Sequence, residues 1–168
     1  MANNIIITGA NRGVGLMLAQ LFKEQGDNVY ALCRQSSPAL EALDINVVVN
    51  IDVATPAGIE NLVSALSGVL IDVLVCNAGI WIDDNLEKFT LDSMRRQFEV
   101  NALAPLSVVH ALESQIKDSG KIAMISSRMG SIGDNSAGGR LGYRMSKAAL
   151  NAASMSLRHD LAPRDIAV

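Results

Sequence analysis

The chain has 168 residues, 49% of them hydrophobic and 18% charged, and a formal charge of −3. This length and composition predict one domain over residues 1–168, and the lack of charge blocks and the few aromatic residues argue against a nucleic-acid partner. The apolar run at residues 5–7 is too short to span a bilayer and the polar start lacks the basic region of a signal peptide, so we expect a cytoplasmic protein without a membrane partner.

Five short apolar runs rich in β-branched residues predict buried strands at residues 4–8, 28–33, 46–51, 72–76 and 121–126. Segments with helical spacing alternate with them at residues 14–25, 56–66, 91–118 (in one or two pieces) and 143–161. Thr55-Pro56 fits a helix start, Gly26 and Gly120 fit helix ends, and Pro163 ends the last helix. The alternation predicts an α/β fold, a doubly wound parallel sheet with helices on both faces.

A glycine-rich turn follows the first predicted strand and leads into the first helix, with the sequence Thr8-Gly9-Ala10-Asn11-Arg12-Gly13-Val14-Gly15. Glycines permit a tight turn and let backbone N–H groups approach a pyrophosphate, where the helix dipole favours negative charge. A glycine triplet alone is weak evidence. Its position between a strand and a helix favours a nucleotide site over a plain turn.

Cys33 and Cys76 fall inside apolar runs, which favours buried free thiols over a disulfide or a metal site. His110 and His159 stand alone in predicted helices, where packing or surface roles are commoner than catalysis. The sequence contains no cluster of His, Cys and carboxylate residues, so we expect no metal.

Tyr143 and Lys147 stand one turn apart on the last predicted helix and so share a face. There the ammonium can lie beside the phenol and favour its ionised form. A free tyrosine has a pKa of about 10 and is a poor acid or base at neutral pH. The pair therefore indicates an acid/base site, although the same spacing occurs on many solvated helix faces.

Six motifs follow one another along the chain: Thr8 to Gly15, Asp52-Val53, Cys76-Asn77-Ala78-Gly79, Asn101, Ser127, and Tyr143 to Lys147. In this order they resemble the short-chain dehydrogenase/reductase family. Within it they look most like the small carbonyl-reductase and C-factor-like members, through Ser127 to Ser131 and Tyr143 to Lys147. The resemblance implies a Rossmann fold and an oxidoreductase that transfers a hydride between NADP(H) and a carbonyl or alcohol substrate.

The resemblance also implies a role for each catalytic residue. Tyr143 would protonate a carbonyl oxygen as hydride arrives, or take the alcohol proton in reverse, and Ser127 would hydrogen-bond the same oxygen. Lys147 would favour the ionised phenol and hold the nicotinamide ribose, and Asn101 would fix a water for proton return. The implied cofactor-binding residues are Gly9, Asn11, Arg12, Gly13, Val14, Gly15, Arg34, Asp52, Val53, Asn77, Ala78, Gly79, Tyr143 and Lys147.

Several of these residues have a plainer interpretation. The active hydroxyl could belong to Ser126 instead of Ser127, since neighbouring side chains at a strand end point opposite ways. Asn101 could be a capping or polar helix residue. Asn77 is expected to tie neighbouring strands together more than to touch substrate. Trp81 could equally line the substrate pocket or serve packing.

The choice of cofactor depends on the end of the second strand, which reads Ala31-Leu32-Cys33-Arg34 and has no acid. A carboxylate there would hold ribose hydroxyls, whereas a cation would accept a 2′-phosphate. Arg34 and Arg12 can both reach this region, so NADP(H) is favoured over NAD(H). Both arginines could instead point to water.

The resemblance places a sixth strand at Asp165-Ile166-Ala167-Val168, so the final strand or strands of the family fold are expected to be absent here. Those parts normally contact the nicotinamide and close over the substrate. The chain is then either part of a longer carbonyl reductase or a short NAD(P)-binding or signalling protein without efficient turnover; the retained catalytic residues favour the first. A homo-oligomer, a dimer or tetramer, is expected through the helices at 91–118 and 143–161.

Overall fold

Five parallel strands form one sheet in the computed structural model, which describes residues 2–168. The strands are β1 (Asn4–Thr8), β2 (Asn28–Leu32), β3 (Asn46–Val48), β4 (Ile71–Cys76) and β5 (Ile116–Met124). Their order across the sheet is β3-β2-β1-β4-β5, and every neighbouring pair is parallel. This confirms the doubly wound Rossmann fold that the alternation predicted.

Six helices connect or flank the strands: α1 (Gly13–Glu24), α2 (Pro38–Glu41), α3 (Pro56–Ala65), α4 (Leu91–Phe98), α5 (Ala104–Leu112) and α6 (Leu141–Leu161). A π-helical turn, Glu99–Leu103, joins α4 to α5. The predicted start of α3 is confirmed, because the Thr55 side chain accepts a hydrogen bond from the Gly58 N–H at 3.1 Å and Pro56 occupies the first helical position. None of the helices in residues 2–168 is long and apolar enough to cross a membrane.

The core lies on both faces of the sheet, and β1 shows why. Its side chains alternate, so that Ile5 and Ile7 pack toward α1, while Ile6 joins the cluster formed by α3 and α5 on the other face. All three isoleucines are buried. A continuous apolar run is therefore what a strand covered on both faces requires.

The prediction of a helix over residues 91–118 was wrong at its C-terminal end. The helix stops at Leu112, and β5 begins at Ile116, whose side chain is fully buried and which pairs with Ile71. A bulge then shifts the pairing of β5 against β4, and Gly120, predicted as a helix end, lies inside the strand. A Cβ at Gly120 would come within 2.7 Å of the Lys117 carbonyl oxygen.

The end of β3 and a short additional helix also differ from the prediction. The strand predicted to reach residue 51 ends at Val48, and Asn50 takes a left-handed conformation with φ 62° that turns the chain back toward β2. The short helix α2 was not predicted; Ser37 caps it by accepting a hydrogen bond from the Leu40 N–H at 3.2 Å.

Residue 167 extends the sheet beyond β5. Ala167 forms a parallel bridge with Lys121, and its N–H donates to the Gly120 carbonyl at 3.0 Å while its own carbonyl accepts from Ile122 at 2.8 Å. This is the position at which the sequence predicted a sixth strand.

The ends of β1 and β4 are joined by the hydroxyl of Thr8. Its Oγ1 accepts hydrogen bonds from the backbone N–H groups of Asn77 (3.0 Å) and Ala78 (3.1 Å) and is buried. The strand order of the sheet reverses between β1 and β4. In α/β sheets a crevice opens at such a reversal, so the two hydrogen bonds to Thr8 hold the strands together at the edge of that crevice.

We expect Thr8→Val to lower the free energy of unfolding by about 2 kcal/mol, because the shape is retained while the Ala78 N–H loses its acceptor and the Asn77 N–H keeps only the Val75 carbonyl. Urea denaturation measures the change. Thr8→Ser is the matched control, since it keeps the hydroxyl and loses only a methyl group. Equal losses in the two variants would contradict the role assigned to the hydroxyl.

Candidate active site and nucleotide cleft

The predicted site residues converge at the carboxyl edge of the sheet. The glycine-rich turn follows β1, Arg34 follows β2, Asp52 follows β3, Asn77 follows β4 and Ser127 follows β5. Because all five strands are parallel, their carboxyl ends meet along one edge. The strand order reverses between β1 and β4, and ligands of open α/β sheets bind at such a reversal.

The turn after β1 has no room for side chains where it approaches β4. Gly9 has φ 67°, and a Cβ there would lie 2.8 Å from Cα of Ala78. A Cβ at Gly15 would lie 2.5 Å from Nδ2 of Asn77 and from the Gly9 carbonyl oxygen. Asn77 Nδ2 in turn donates to the carbonyls of Thr8 (3.0 Å) and Gly9 (3.1 Å), so it ties β4 to the turn as expected. The glycines therefore keep the N-terminus of α1 open toward the cleft.

A cleft of about 300 Å³ opens above this turn. Of the predicted cofactor-binding residues, those that line it are Gly9, Asn11, Arg12, Gly13, Val14, Arg34, Asp52, Val53, Asn77, Ala78 and Gly79. Gly15 lies beneath the turn, and Tyr143 and Lys147 belong to the neighbouring cluster described below. Lining residues that the sequence analysis missed are Cys33, Ile51, Ile80, Arg96 and Val100. Ile80 and Val100 directly adjoin recognised motifs, which could have indicated them; Arg96 has no such signal.

The cleft fits a dinucleotide in the features that the chain itself provides. Backbone N–H groups at the start of α1 and the glycine turn suit a pyrophosphate, and the glycines leave the space that it needs. A second cavity, of about 540 Å³, adjoins the cleft and is lined by Asn11, Arg34, Gln35, Asn50 and Asp52. The two cavities share Asn11, Arg34 and Asp52 in their linings.

Arg34 and Arg12 are exposed at this end of the cleft. Within residues 2–168, no carboxylate oxygen lies within 4.0 Å of either guanidinium. The loop that carries Arg34 is held by Asn11, whose Nδ2 donates to the Gln35 carbonyl at 2.9 Å. Asp52 is engaged elsewhere: its Oδ1 accepts from the Ala54 N–H at 3.1 Å. Both guanidinium groups are therefore available for a phosphate.

Asn101 is fully buried in the π-helical turn. Its Oδ1 accepts from the Ile80 N–H at 2.8 Å, and its Nδ2 donates to the Ile80 carbonyl (2.8 Å) and to Oγ of Ser146 (3.0 Å). Single π-helical turns inside helices are frequent at functional sites. The side chain thus connects the segment after β4 to α6, which is more than the capping role that a lone asparagine usually has.

Lys147 lies deep in the site, with 4% of its surface exposed. Its Nζ donates to the Ile125 carbonyl at 2.7 Å and lies 5.9 Å from the centre of the Tyr143 ring. Burial lowers the pKa of the ammonium below its ordinary value. A Cβ added to Gly79 would lie 3.8 Å from this Nζ and 3.2 Å from Asn101 Oδ1. Gly79 therefore borders both the cleft and the cluster formed by Tyr143, Lys147 and Asn101.

The two adjacent serines after β5 have different hydrogen bonds. Ser126 Oγ donates to Asn151 Oδ1 on α6 at 2.6 Å, which uses its only hydrogen. Ser127 Oγ accepts from the Met129 N–H at 3.2 Å and keeps its hydrogen free to donate. Asn151 was not predicted as part of the site, and it lies one turn beyond Lys147 on the same face of α6.

Tyr143 has an aromatic neighbour at the mouth of the site. The ring of Trp81 lies 6.4 Å from that of Tyr143, at an interplanar angle of 48°. Trp81 is 60% exposed, so it lies at the surface of the site and not in the core.

The cysteines and histidines lie outside the cluster formed by Tyr143, Lys147 and Asn101, although Cys33 lines the cleft. Cys33 and Cys76 are buried free thiols, as predicted, and burial raises the pKa of Cys76 to about 12. His110 and His159 are exposed on helix surfaces. Residues 2–168 bring together no group of three His, Cys, Asp or Glu side chains suited to a metal.

We expect Lys147 to give the free energy of unfolding a pH dependence at alkaline pH. Because the folded-state pKa is lowered, the unfolded chain binds the proton more tightly, and stability rises as pH increases toward the ordinary lysine value of about 10.4. The unfolding free energy of the wild type minus that of Lys147→Met should therefore rise as the pH approaches the ordinary lysine value of about 10.4 in urea titrations. Lys88→Met, in an exposed loop, controls for the loss of one lysine charge. A flat or falling difference would contradict the prediction.

Comparison with known proteins agrees with this geometry. The family model described as short chain dehydrogenase matches residues 3–168. The 1-hydroxy-2-glutathionyl-2-methyl-3-butene dehydrogenase of Rhodococcus sp. (strain AD45) is 32% identical over 168 residues, which cover 99% of this chain and 74% of that protein.

Solved structures show the same fold. A short-chain dehydrogenase/reductase from Burkholderia multivorans with bound NADP superposes with a TM-score of 0.90 at 32% identity, over 99% of this chain and 76% of that one. The NADPH-bound carbonyl reductase from chicken fatty liver has a TM-score of 0.87 at 29% identity, over 98% of this chain and 76% of that one. Since the family model covers nearly every residue and the fold is shared, the chain belongs to the short-chain dehydrogenase family of NAD(P)-dependent oxidoreductases.

Proposed function

We propose that this protein transfers a hydride between NADP(H) and a carbonyl or alcohol substrate, with Tyr143 as the general acid/base. One observation carries the proposal: the buried ammonium of Lys147 lies 5.9 Å from the Tyr143 ring and borders Gly79 at the cleft. The site thereby combines a nucleotide cleft with a proton donor, the Tyr143 hydroxyl, whose phenolate form would lie beside the ammonium of Lys147. That combination is what reduction of a carbonyl group requires.

Bound NADPH would supply the hydride. The residues of the chain donate the proton and stabilise the negative charge that develops during the transfer. Tyr143 donates its hydroxyl proton to the substrate oxygen as negative charge develops there. The resulting phenolate is stabilised by the ammonium of Lys147, which the Ile125 carbonyl holds in place at 2.7 Å. Asn101 positions this group by fixing α6 against the segment at Ile80. The water that would return a proton through Lys147 stays a prediction.

The hydrogen bonds of the two serines support Ser127 as the second donor to the substrate oxygen. Ser126 has already given its hydrogen to Asn151, whereas Ser127 only accepts a bond from Met129. A group that stabilises charge on the substrate oxygen must still have a hydrogen to donate. Ser126 then acts as a link between β5 and α6.

Arg34 and Arg12 support NADP(H) as the cofactor. Both line the cleft and lack a carboxylate partner within residues 2–168, so each can bind a 2′-phosphate without breaking an ion pair. Two structural relatives are described with bound NADP or NADPH. A homo-oligomer also stays a prediction; the apolar side chains exposed from α4 to α6 that support it are Leu91, Phe98, Leu103, Met145 and Met155.

We expect Tyr143→Phe to lower kcat for aldehydes or ketones by about 10²- to 10⁴-fold, because the general acid is lost. Loss of NADPH absorbance over a mixed aldehyde and ketone panel measures turnover, and a fluorescence titration checks that the variant still binds NADPH. Ser127→Ala should lose much more activity than Ser126→Ala. NADPH binding without turnover by the wild type would favour a non-catalytic NAD(P)-binding or signalling protein instead.

We expect Arg34→Ala to weaken NADPH binding about 10- to 100-fold, since a charge-assisted hydrogen bond to the 2′-phosphate is lost. The affinity for NADH should change by less than about twofold, because NADH lacks that phosphate. Fluorescence titration gives both constants. Arg95→Ala, on the exposed surface of α4, is the matched control. Equal weakening of NADPH and NADH would argue against the predicted preference.

A further inference from the structure

Two arginines at the start of α6 flank Tyr143 and have no acidic partner. Arg140 precedes the first turn, and the N–H of Arg144 donates to the Arg140 carbonyl at 2.9 Å. Residues four apart share one face of a helix, so two like charges are brought together there. Over residues 126–147 the sequence has four cations and a single acid, although the whole chain is acidic. Because Asp134 pairs with Arg128, the remaining excess is carried by Arg140, Arg144 and Lys147, which lie within one turn of Tyr143 in the sequence.

The guanidinium groups carry N–H donors that nothing in the chain satisfies. Nε of Arg140 and both Nε and Nη1 of Arg144 are buried without a hydrogen-bond partner. Throughout residues 2–168, no carboxylate oxygen comes within 4.0 Å of these two side chains. Buried donors are almost always paired in folded proteins, and buried charged donors are the costliest to leave unpaired.

The acids in this part of the structure are already engaged. Asp84 is buried and accepts hydrogen bonds from the Gly142 N–H (3.2 Å) and from Gln97 Nε2 (2.7 Å), so it serves the N-terminus of α6. Asp134 forms an ion pair with Arg128 at 3.2 Å. Neither is placed to neutralise Arg140 or Arg144. The Nη1 and Nη2 groups of Arg140 and the Nη2 group of Arg144 are not among these buried donors and make no hydrogen bond within residues 2–168, so an anion from outside the chain can bind them.

The position of Arg140 adds a second, independent observation. Its guanidinium carbon lies 5.6 Å from the ring centre of Trp81, and Trp81 is the residue whose ring lies 6.4 Å from Tyr143. Trp81 is mostly exposed, so a ligand can reach all three side chains. Arg140 also has φ 51°, a conformation rare for a large side chain, and its N–H is held by the Asp84 carbonyl at 2.7 Å. The backbone thus keeps the cation at the mouth of the site.

We propose that Arg140, with Arg144 beside it, binds an anionic group of the substrate, a carboxylate or a phosphate, and so selects anionic carbonyl compounds. A guanidinium offers planar, paired donors that match these groups, and Trp81 covers the apolar part of the same molecule. This inference rests on the proposed carbonyl reduction at Tyr143. It specifies the charge of the substrate, a property that neither the nucleotide cleft nor the proton transfer by Tyr143 determines.

The test compares 4-carboxybenzaldehyde with its methyl ester, which differ in charge but not in the reacting group, and includes 4-formylphenyl phosphate. With NADPH and wild-type protein, kcat/KM for the acid should exceed that for the ester by about tenfold or more. In Arg140→Gln the ratio should fall toward one, mainly through a higher KM for the acid. Arg140→Lys should keep part of the preference. The phosphate compound shows which anion the site prefers.

Controls separate this inference from the proposed function and from misfolding. Arg158→Gln, exposed near the end of the same helix, should leave the acid-to-ester ratio unchanged. Added salt should lower kcat/KM for the acid but not for the ester. This control uses the wild-type protein alone and needs no variant. If no aldehyde turns over, the proposed function fails. The anion site can then still be tested by NMR titration of the NADPH-loaded protein with 4-(hydroxymethyl)benzoate and with its methyl ester. Equal use and equal binding of acid and ester by the wild type would overturn the inference.

Discussion

The side-chain amide of Asn101 joins three parts of the chain that are far apart in sequence: the segment after β4, the π-helical turn and α6. It holds Ile80 by both its backbone N–H and its carbonyl, and it reaches Ser146 one residue before Lys147. Because the amide is fully buried, each of these bonds is costly to break. The register of α6 against the sheet, and with it the position of Lys147, depends on this side chain.

The segment that Asn101 holds also connects the nucleotide cleft to the cluster formed by Tyr143, Lys147 and Asn101. Gly79 lines the cleft, yet an added Cβ there would meet Asn101 and Lys147 on its other side. Two residues earlier, Asn77 fixes the glycine turn through its bonds to Thr8 and Gly9. The short segment from Asn77 to Ile80 therefore contacts the glycine turn of the cleft as well as Asn101 and Lys147.

Local patterns in the sequence were sufficient for most of the fold and for the residues around the cleft. β1 was predicted with its observed bounds, because three consecutive β-branched residues between polar flanks, followed by a glycine turn, favour a strand. The helix at 91–118 was predicted too long, since the early start of β5 depends on the pairing of Ile116 with Ile71, a contact that no local pattern contains. For the same reason Arg96 and Asn151 were missed: each joins the site through the packing of a helix, without a motif beside it. The choice between Ser126 and Ser127 likewise needed their hydrogen-bond partners.

Arginines in this structure fall into two groups that the sequence cannot separate. Arg164 donates to the Asp118 carboxylate at 2.9 Å and to the Glu113 carbonyl at 3.0 Å, so its guanidinium braces the turn before β5. Arg140 and Arg144 have buried nitrogen atoms and no such acceptors within residues 2–168. A structural role for them would require partners within the fold, as Arg164 has. Their unpaired donors beside Trp81 and Tyr143 are therefore better explained by a ligand than by stability, and the charge of that ligand follows from theirs.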